Sequence, residues 1–333
     1  MKGIVFAGFN DAAPLQVVDR AVPEPDKGQV LVQVKASSVN ILEYNRFASL
    51  DSRGRPSLTA RVMDTVLGAK GKILGNDLSG VVAAVGSEVK SLRVGDEVFG
   101  TTRNLGAWAE YAVADAGSLA TKPGSLTFEQ AAVYPVCGVT AFGALRKAGV
   151  EEGKRVLVYG GSGGVGGFAV QFAKALGAEV TAVVSKRNIE LALLNSADEA
   201  IDYTQVDFSK CGKAFDAIIG ANGYNHLGTY KRLLAPGGTY IAIGNAKQGV
   251  AGMFGPLYSV GSNKHMGYVI FAQEAKKGHL SSIRNLIETK QLLPRIDATF
   301  NVREADAAIK YLIGNHAQGK VAISVIFDDD SRG

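Results

Sequence analysis

From residue 1 to about 123 the apolar positions alternate over short runs. Residues 30–34 read VLVQV, residues 81–85 read VVAAV, and residues 95–100 (GDEVFG) place a polar turn before an apolar run. A period of two bounded by turn residues predicts strands, and several short strands in succession predict a small barrel or sandwich. Residues 48–72 break this rhythm. They begin polar and basic (SLDSRGRPS) and then carry a helical spacing at Leu58, Val62, Val66 and Leu67. A long insertion of this kind is either a binding loop or a surface loop without a role.

From about 124 to 271 the pattern changes to strands alternating with helices. RVLVY at 155–159 reads as a buried strand, and residues 168–176 as a helix. Further strands are predicted at 179–184, 200–202, 216–219, 239–243 and 266–271. This alternation predicts an α/β fold with a doubly wound parallel sheet and right-handed crossovers. The tail is predicted to hold helices near 281–290 and 305–312, separated by a Leu-Pro-Arg stop, and a last strand, VAISVIF. It is read as packing back onto the first domain, which then comprises 1–123 and 273–333 around a second domain at 124–272.

At 333 residues the chain has room for two such cores. Hydrophobic residues make up 47% and charged residues 20%, which excludes global disorder. Glycine is in excess, at 41 residues, against roughly 23 at average usage, so many tight turns and close backbone approaches are expected. The net charge of +5 is scattered, which argues against a nucleic-acid surface. No apolar run reaches the length of a membrane helix. The start, MKGIVFAG, lacks the layout of a signal peptide, and two cysteines do not make a secreted disulfide framework. A soluble cytoplasmic protein is expected.

The strongest chemical signal follows the strand RVLVY. Gly161, Gly163 and Gly166 satisfy G-x-G-x-x-G within the run Gly160-Gly161-Ser162-Gly163-Gly164-Val165-Gly166, between a strand and a helix. In that context the motif binds a dinucleotide. Gly161 is read as the tight turn, Gly163 as the point where the backbone approaches a pyrophosphate, and Gly166 as the close helix–strand contact. NAD binders carry an acid at the end of the second strand. Here Ser185, Lys186 and Arg187 follow Val184, which favours the 2′-phosphate of NADPH.

Taken with these motifs, the sequence resembles the medium-chain dehydrogenases/reductases, and among them the zinc-independent quinone oxidoreductase branch that includes zeta-crystallin. The resemblance rests on Ser38-Val39-Asn40 with Glu43, GNDLSGVV at 75–82, GDEVFG, Ala109-Glu110-Tyr111 and YPVCGVTAFGAL at 134–145. It continues through IDYT at 201–204, LAPGGTYIAIG ending at Gly244, and Gly319-Lys320-Val321. It implies a barrel-like (GroES-like) catalytic domain, a Rossmann domain, an active site in the cleft between them, and a homodimer. It also implies that Tyr203 and Lys320 lie near the cofactor, Tyr203 on the 2′-phosphate side. Ile41 and Ser196 depart from the family pattern, which commonly has proline and glycine there.

Zinc-dependent relatives use cysteine and histidine ligands. Here Asn40 and Gly75-Asn76-Asp77 stand near those positions, and Cys137 is read as a small buried hydrophobe, so no metal is expected. Asn40 and Tyr44 are the candidate donors to a substrate oxygen. Phe47, Met63 and Trp108 are candidates either for an apolar substrate pocket or for the core. The expected activity is NADPH-dependent hydride transfer to a quinone or an α,β-unsaturated carbonyl. Alternatives are an NADP-dependent alcohol dehydrogenase, or a non-catalytic NADPH-binding or nucleic-acid-binding protein.

Overall fold

The computed structural model describes residues 1–7, 15–41, 71–102, 105–223, 225–243, 252–269, 271–274, 278–290, 292–314 and 317–327. Tyr44, Phe47, Met63, Gly244 and nearly all of the 48–72 insertion lie outside them. The chain divides into two compact units, Met1–Val136 with Leu293–Gly333, and Cys137–Leu292.

In the first unit, β1 (Lys2–Phe6) and β2 (Leu15–Asp19) form a hairpin-like pair. The main sheet is built on the long strand β3 (Gln29–Val39), which pairs antiparallel with β4 (Asp77–Val85) and, along part of its length, with β6 (Tyr111–Asp115). β5 (Glu97–Thr101) and β7 (Leu119–Thr121) continue the sheet beyond β4. The alternation read from residues 30–34 has its counterpart in burial: Val30, Val32 and Val34 enter the core with Leu78, Val98 and Trp108, while Gln33 is half-buried. Removing such side chains from water is the main stabilising term, about 25 cal/mol per Å² of apolar surface.

The second unit contains a six-stranded parallel sheet, formed by β8 (Arg155–Tyr159), β9 (Glu179–Val184), β10 (Glu199–Asp202), β11 (Phe215–Gly220), β12 (Leu234–Ala242) and β13 (His265–Tyr268). Its order is β10-β9-β8-β11-β12-β13. The order reverses direction beside β8, and in such sheets ligands bind at the carboxyl ends of the strands at that switch point. The helix after β8 runs from Gly164 to Ala175, starting four residues earlier than the apolar spacing predicts, because its first turn is glycine-rich. β13 is shorter than the predicted run at 266–271. Ser196, at a common glycine position of the family, holds a left-handed φ of 72°.

The tail supplies β14 (Ile296–Asn301) and β15 (Lys320–Ser324) to the first unit's sheet, where β15 pairs antiparallel with β3. The helix His279–Lys290, assigned by the sequence pattern to that tail, instead belongs to the second unit. It buries Leu280, Ile283 and Ile287 and packs on the helix Gly164–Ala175. The first unit's return segment therefore begins at Leu293 rather than near 273, and its N-terminal segment extends to Val136 because the helix Phe128–Ala132 packs on β3 and β4.

Candidate functional site

The loop after β8 separates its glycines by task. Gly160 has φ +83°, so the tight turn lies there and not at Gly161. A Cβ on Gly161 would stand 3.0 Å from the Ala182 Cβ and 3.2 Å from Val170 Cγ2, and one on Gly166 would stand 2.0 Å from the Gly160 carbonyl oxygen. Both are buried packing positions. At Gly163 the surroundings differ: the nearest atom to an added Cβ is the Gly160 oxygen at 3.7 Å. Gly163 is the N-cap residue of the helix and has no side chain to cap it. The first backbone N–H groups of a helix have no intrahelical partner and carry its positive dipole end. With Ser162, Gly164 and Val165 half-buried around it, this end can receive a pyrophosphate.

At the end of β9, Ser185 is half-buried and its hydroxyl accepts a 3.1 Å bond from Asn188 Nδ2, while Lys186 and Arg187 are exposed on a 3₁₀ turn. Tyr203 donates its backbone N–H to the Val184 carbonyl at 3.0 Å. Its ring stacks on Tyr159, with centroids 6.2 Å apart. These residues thus flank the end of β9 from the adjacent strand. Sequence reasoning missed a carboxylate there. β10 pairs with β9 in the register Asp202↔Val184, bringing Asp202 beside the basic turn. Asp202 is held below the ordinary carboxylate range chiefly by a hydrogen bond from the Thr204 hydroxyl, with Lys186 adding to the effect. The signal was the predicted strand at 200–202, a parallel neighbour of β9 ending on an acid.

The other candidates form a buried polar network in the first unit. Asn40 follows β3 directly and is 3% exposed. Its Nδ2 donates to Asp77 Oδ2 at 2.9 Å, and its Oδ1 accepts from Lys320 Nζ at 2.6 Å. Ser38 Oγ donates to the same carboxylate oxygen at 2.5 Å, and the Val136 N–H donates to Oδ1 at 2.7 Å. Burial pushes the Asp77 carboxyl upward, opposed by Lys320, Ser38, Asn40 and the Val136 N–H. Lys320 also donates to the Val39 carbonyl at 3.1 Å, so its head group is turned into this network. Neither Ser38 nor Asp77 was singled out from the sequence as a site residue. Trp108 is fully buried in the core, and its indole stands where a Cβ on Gly75 would come within 2.3 Å. Among the described residues it belongs to the core cluster of the first unit, with Leu74, Leu78 and Val98.

Comparison with known proteins places these features in a family. Residues 26–124 match the alcohol dehydrogenase GroES-like domain, and residues 195–323 match the zinc-binding dehydrogenases. The chain is 31% identical to the 2-methylene-furan-3-one reductase of Solanum lycopersicum, over 98% of this chain and 79% of that protein. It is 33% identical to the mitochondrial NAD(P)H oxidoreductase RTN4IP1 of Mus musculus, over 90% and 82%. Among solved structures, the quinone oxidoreductase from Coxiella burnetii superposes with a TM-score of 0.81 at 28% identity, covering 98% of this chain and 99% of that one.

The zinc in one of those family names does not fit the described residues around Asp77. Asp77 already accepts three hydrogen bonds and lies 3.9 Å from the Lys320 ammonium, so a divalent cation there would face a buried positive charge. Among the described residues no group of three or more His, Cys, Asp or Glu side chains is gathered for a metal. A nicotinamide dinucleotide does fit the helix N-terminus at Gly163, where an added Cβ would meet nothing nearer than the Gly160 oxygen at 3.7 Å and would take up open space. With a GroES-like domain, a parallel Rossmann sheet and relatives matched over nearly its whole length, this chain belongs to the medium-chain dehydrogenase/reductase superfamily, as an oxidoreductase of its quinone oxidoreductase-like branch.

Proposed function

We propose that the protein is an NADPH-dependent reductase of conjugated carbonyl acceptors, quinones or α,β-unsaturated ketones and aldehydes, and works without a metal. The observation that carries this reading is the helix N-terminus at Gly163, at the carboxyl end of β8, with the basic turn Lys186–Arg187 after the neighbouring β9. The names of the relatives point the same way, since a methylene-furanone and a quinone are both carbonyls in conjugation.

When bound, NADPH supplies the hydride. The helix N-terminus at Gly163 and Gly164 would hold the pyrophosphate, and Ser185, Lys186, Arg187 and Tyr203 would bind the 2′-phosphate. A conjugated acceptor takes hydride at a carbon already activated, and negative charge develops on its oxygen. The protein then has to orient the acceptor and stabilise that charge. Asn40 donates to this oxygen. Tyr44, outside the described residues, is the second donor, and the proton comes from it or from solvent. An alcohol, in contrast, must first lose a proton, which is difficult near neutral pH without a metal.

The test follows NADPH loss with a panel of quinones and enones, set against reduction of NADP⁺ by simple alcohols. The purified protein is expected to oxidise NADPH with the conjugated acceptors far faster. A faster rate with alcohols would overturn the mechanism, and NADPH binding without turnover of any acceptor would favour a non-catalytic role.

A further inference from the structure

We propose that Asn222–Gly223 is a self-modification site, at which the asparagine amide is converted by water to aspartate or isoaspartate, and that the product weakens NADPH binding. The second half rests on the reading above, in which the pyrophosphate lies at Gly163.

The chain holds one Asn-Gly pair, and it falls just after β11. The reaction at such a pair is internal. The Gly223 backbone nitrogen, losing its proton, attacks the Asn222 Cγ, the bond from Cγ to the side-chain nitrogen breaks, and ammonia leaves. Water then opens the resulting five-membered imide at either of its carbonyls, which gives aspartate by one route and isoaspartate by the other. The sum is one water consumed and one ammonia released, with no change of oxidation state. Glycine favours the attack because no Cβ crowds its nitrogen.

The surroundings of the pair suit this chemistry. Asn222 is exposed, so water reaches its side chain. That side chain is folded back on the next peptide unit. Its Oδ1 accepts the Gly223 N–H at 2.8 Å, which brings the attacking nitrogen close to Cγ, one bond from Oδ1. Asn195 is the contrast. It is 3% exposed, its Oδ1 accepts from Gln171 Nε2 at 3.1 Å, and the nitrogen that would attack it, that of Ser196, donates to the Leu193 carbonyl at 2.8 Å.

The loop that carries the pair is fastened to the turn after β8. Ala221 and Asn222 donate their backbone N–H groups to the Tyr159 carbonyl at 2.9 and 3.3 Å, and the Asn225 side chain is hydrogen-bonded to the Tyr159 phenol. A Cβ on Gly160 would stand 2.9 Å from the Asn222 nitrogen and from its Cβ, and the Gly160 carbonyl in turn accepts the Gly163 N–H at 3.2 Å. Position 222 is thus two contacts from the helix N-terminus. A carboxylate there lies on the scale of the Debye length, about 10 Å at 0.1 M salt, from a pyrophosphate at Gly163 and repels it. Isoaspartate does more. It takes its own Cβ into the main chain and lengthens the loop by one atom between the fastenings at Ala221 and Asn225.

The experiment ages wild type, Asn222→Gln and Asn222→Asp in warm, mildly alkaline buffer, which favours loss of the amide proton. Peptide mass spectrometry locates each change of amide to acid, and NADPH affinity is read by fluorescence titration before and after. Acid is expected at 222 ahead of every other asparagine, Asn195 included, and the NADPH affinity of aged wild type should fall a few-fold or more. Fresh Asn222→Asp should already show a few-fold loss, the size of one exposed charge. Asn222→Gln, whose longer side chain would have to close a six-membered ring, should keep its amide and its affinity through the same ageing. An amide still intact at 222 after other asparagines have turned to acid overturns the modification site. Conversion at 222 with NADPH affinity unchanged overturns its effect on the cofactor. Fresh wild type that binds no NADPH overturns the cofactor reading and the second half of the inference with it, while the mass measurement decides the chemistry at 222.

Discussion

Gly163 and Gly166 stand three residues apart and respond differently to the same added methyl group. Gly163 has φ −76° and ψ 173°, which alanine adopts freely, and its nearest neighbour would be 3.7 Å away. Gly163→Ala is therefore expected to change stability by no more than about 0.5 kcal/mol. Its NADPH affinity should nevertheless fall at least about tenfold, the worth of one charge-assisted hydrogen bond. Gly166→Ala drives a methyl to within 2.0 Å of a backbone oxygen, and is expected to cost about 1–3 kcal/mol and lower the melting temperature. Thermal unfolding and NADPH titration separate the two effects, and Gly163→Ala with wild-type affinity would remove the loop from the cofactor site. The glycine motif was legible in the sequence because its residues are adjacent. The Asn40 network was not legible as a network, since its members lie 37 and 280 positions apart and only strand pairing joins them. Trp108 was ambiguous for a different reason: its residue type suits a pocket wall and a core equally, and burial alone decides.

At the level of elements, the pairing of β9 with β10 has a consequence for cofactor choice. The end of β9 supplies two cations, and the end of β10 supplies the opposing charge of Asp202 beside Lys186. A 2′-phosphate would gain from the first and be repelled by the second. Lys186→Ala and Arg187→Ala are each expected to weaken NADPH binding while leaving NADH binding nearly unchanged. Asp202→Asn should raise the preference for NADPH by a few-fold, the modest size expected of an exposed charge. Titrating both cofactors against the three variants checks this, and equal NADPH and NADH affinities in wild type would end the argument. The strands and their parallel arrangement could be read from periodicity, but the neighbour of β9 could not, because periodicity carries no strand order. Periodicity also misplaced the start of the helix at Gly164. A turn built of glycines has no apolar stripe to show.

For the whole molecule, the break between the units lies where packing partners change and not where the sequence pattern does. The helix His279–Lys290 has an apolar stripe that fits either unit, and its contacts with the helix Gly164–Ala175 assign it to the second. The same unit leaves a conspicuous apolar surface. β13 is the last strand of its sheet, and the short helix Gly255–Ser259 lies against it, with the Ser259 hydroxyl accepting from the Met266 N–H. Around that helix Met253, Phe254, Leu257, Tyr258 and Val260 are all exposed, Leu257 by 69% and Val260 by 75%. Single exposed apolar residues are ordinary, but five within eight positions make a patch, and patches on soluble proteins mark interaction sites. A second copy of this chain is the occupant we propose, in keeping with the homodimer implied by the family resemblance. A twofold axis would set the patch against itself and bury the same residues on both subunits. Light scattering on a size-exclusion column should then give twice the chain mass of 34.9 kDa. Leu257→Glu/Val260→Glu should elute at the single-chain mass with its melting transition still cooperative, because neither side chain belongs to the core. A wild-type protein that stays at the single-chain mass at micromolar concentration would show that the patch serves something other than self-association.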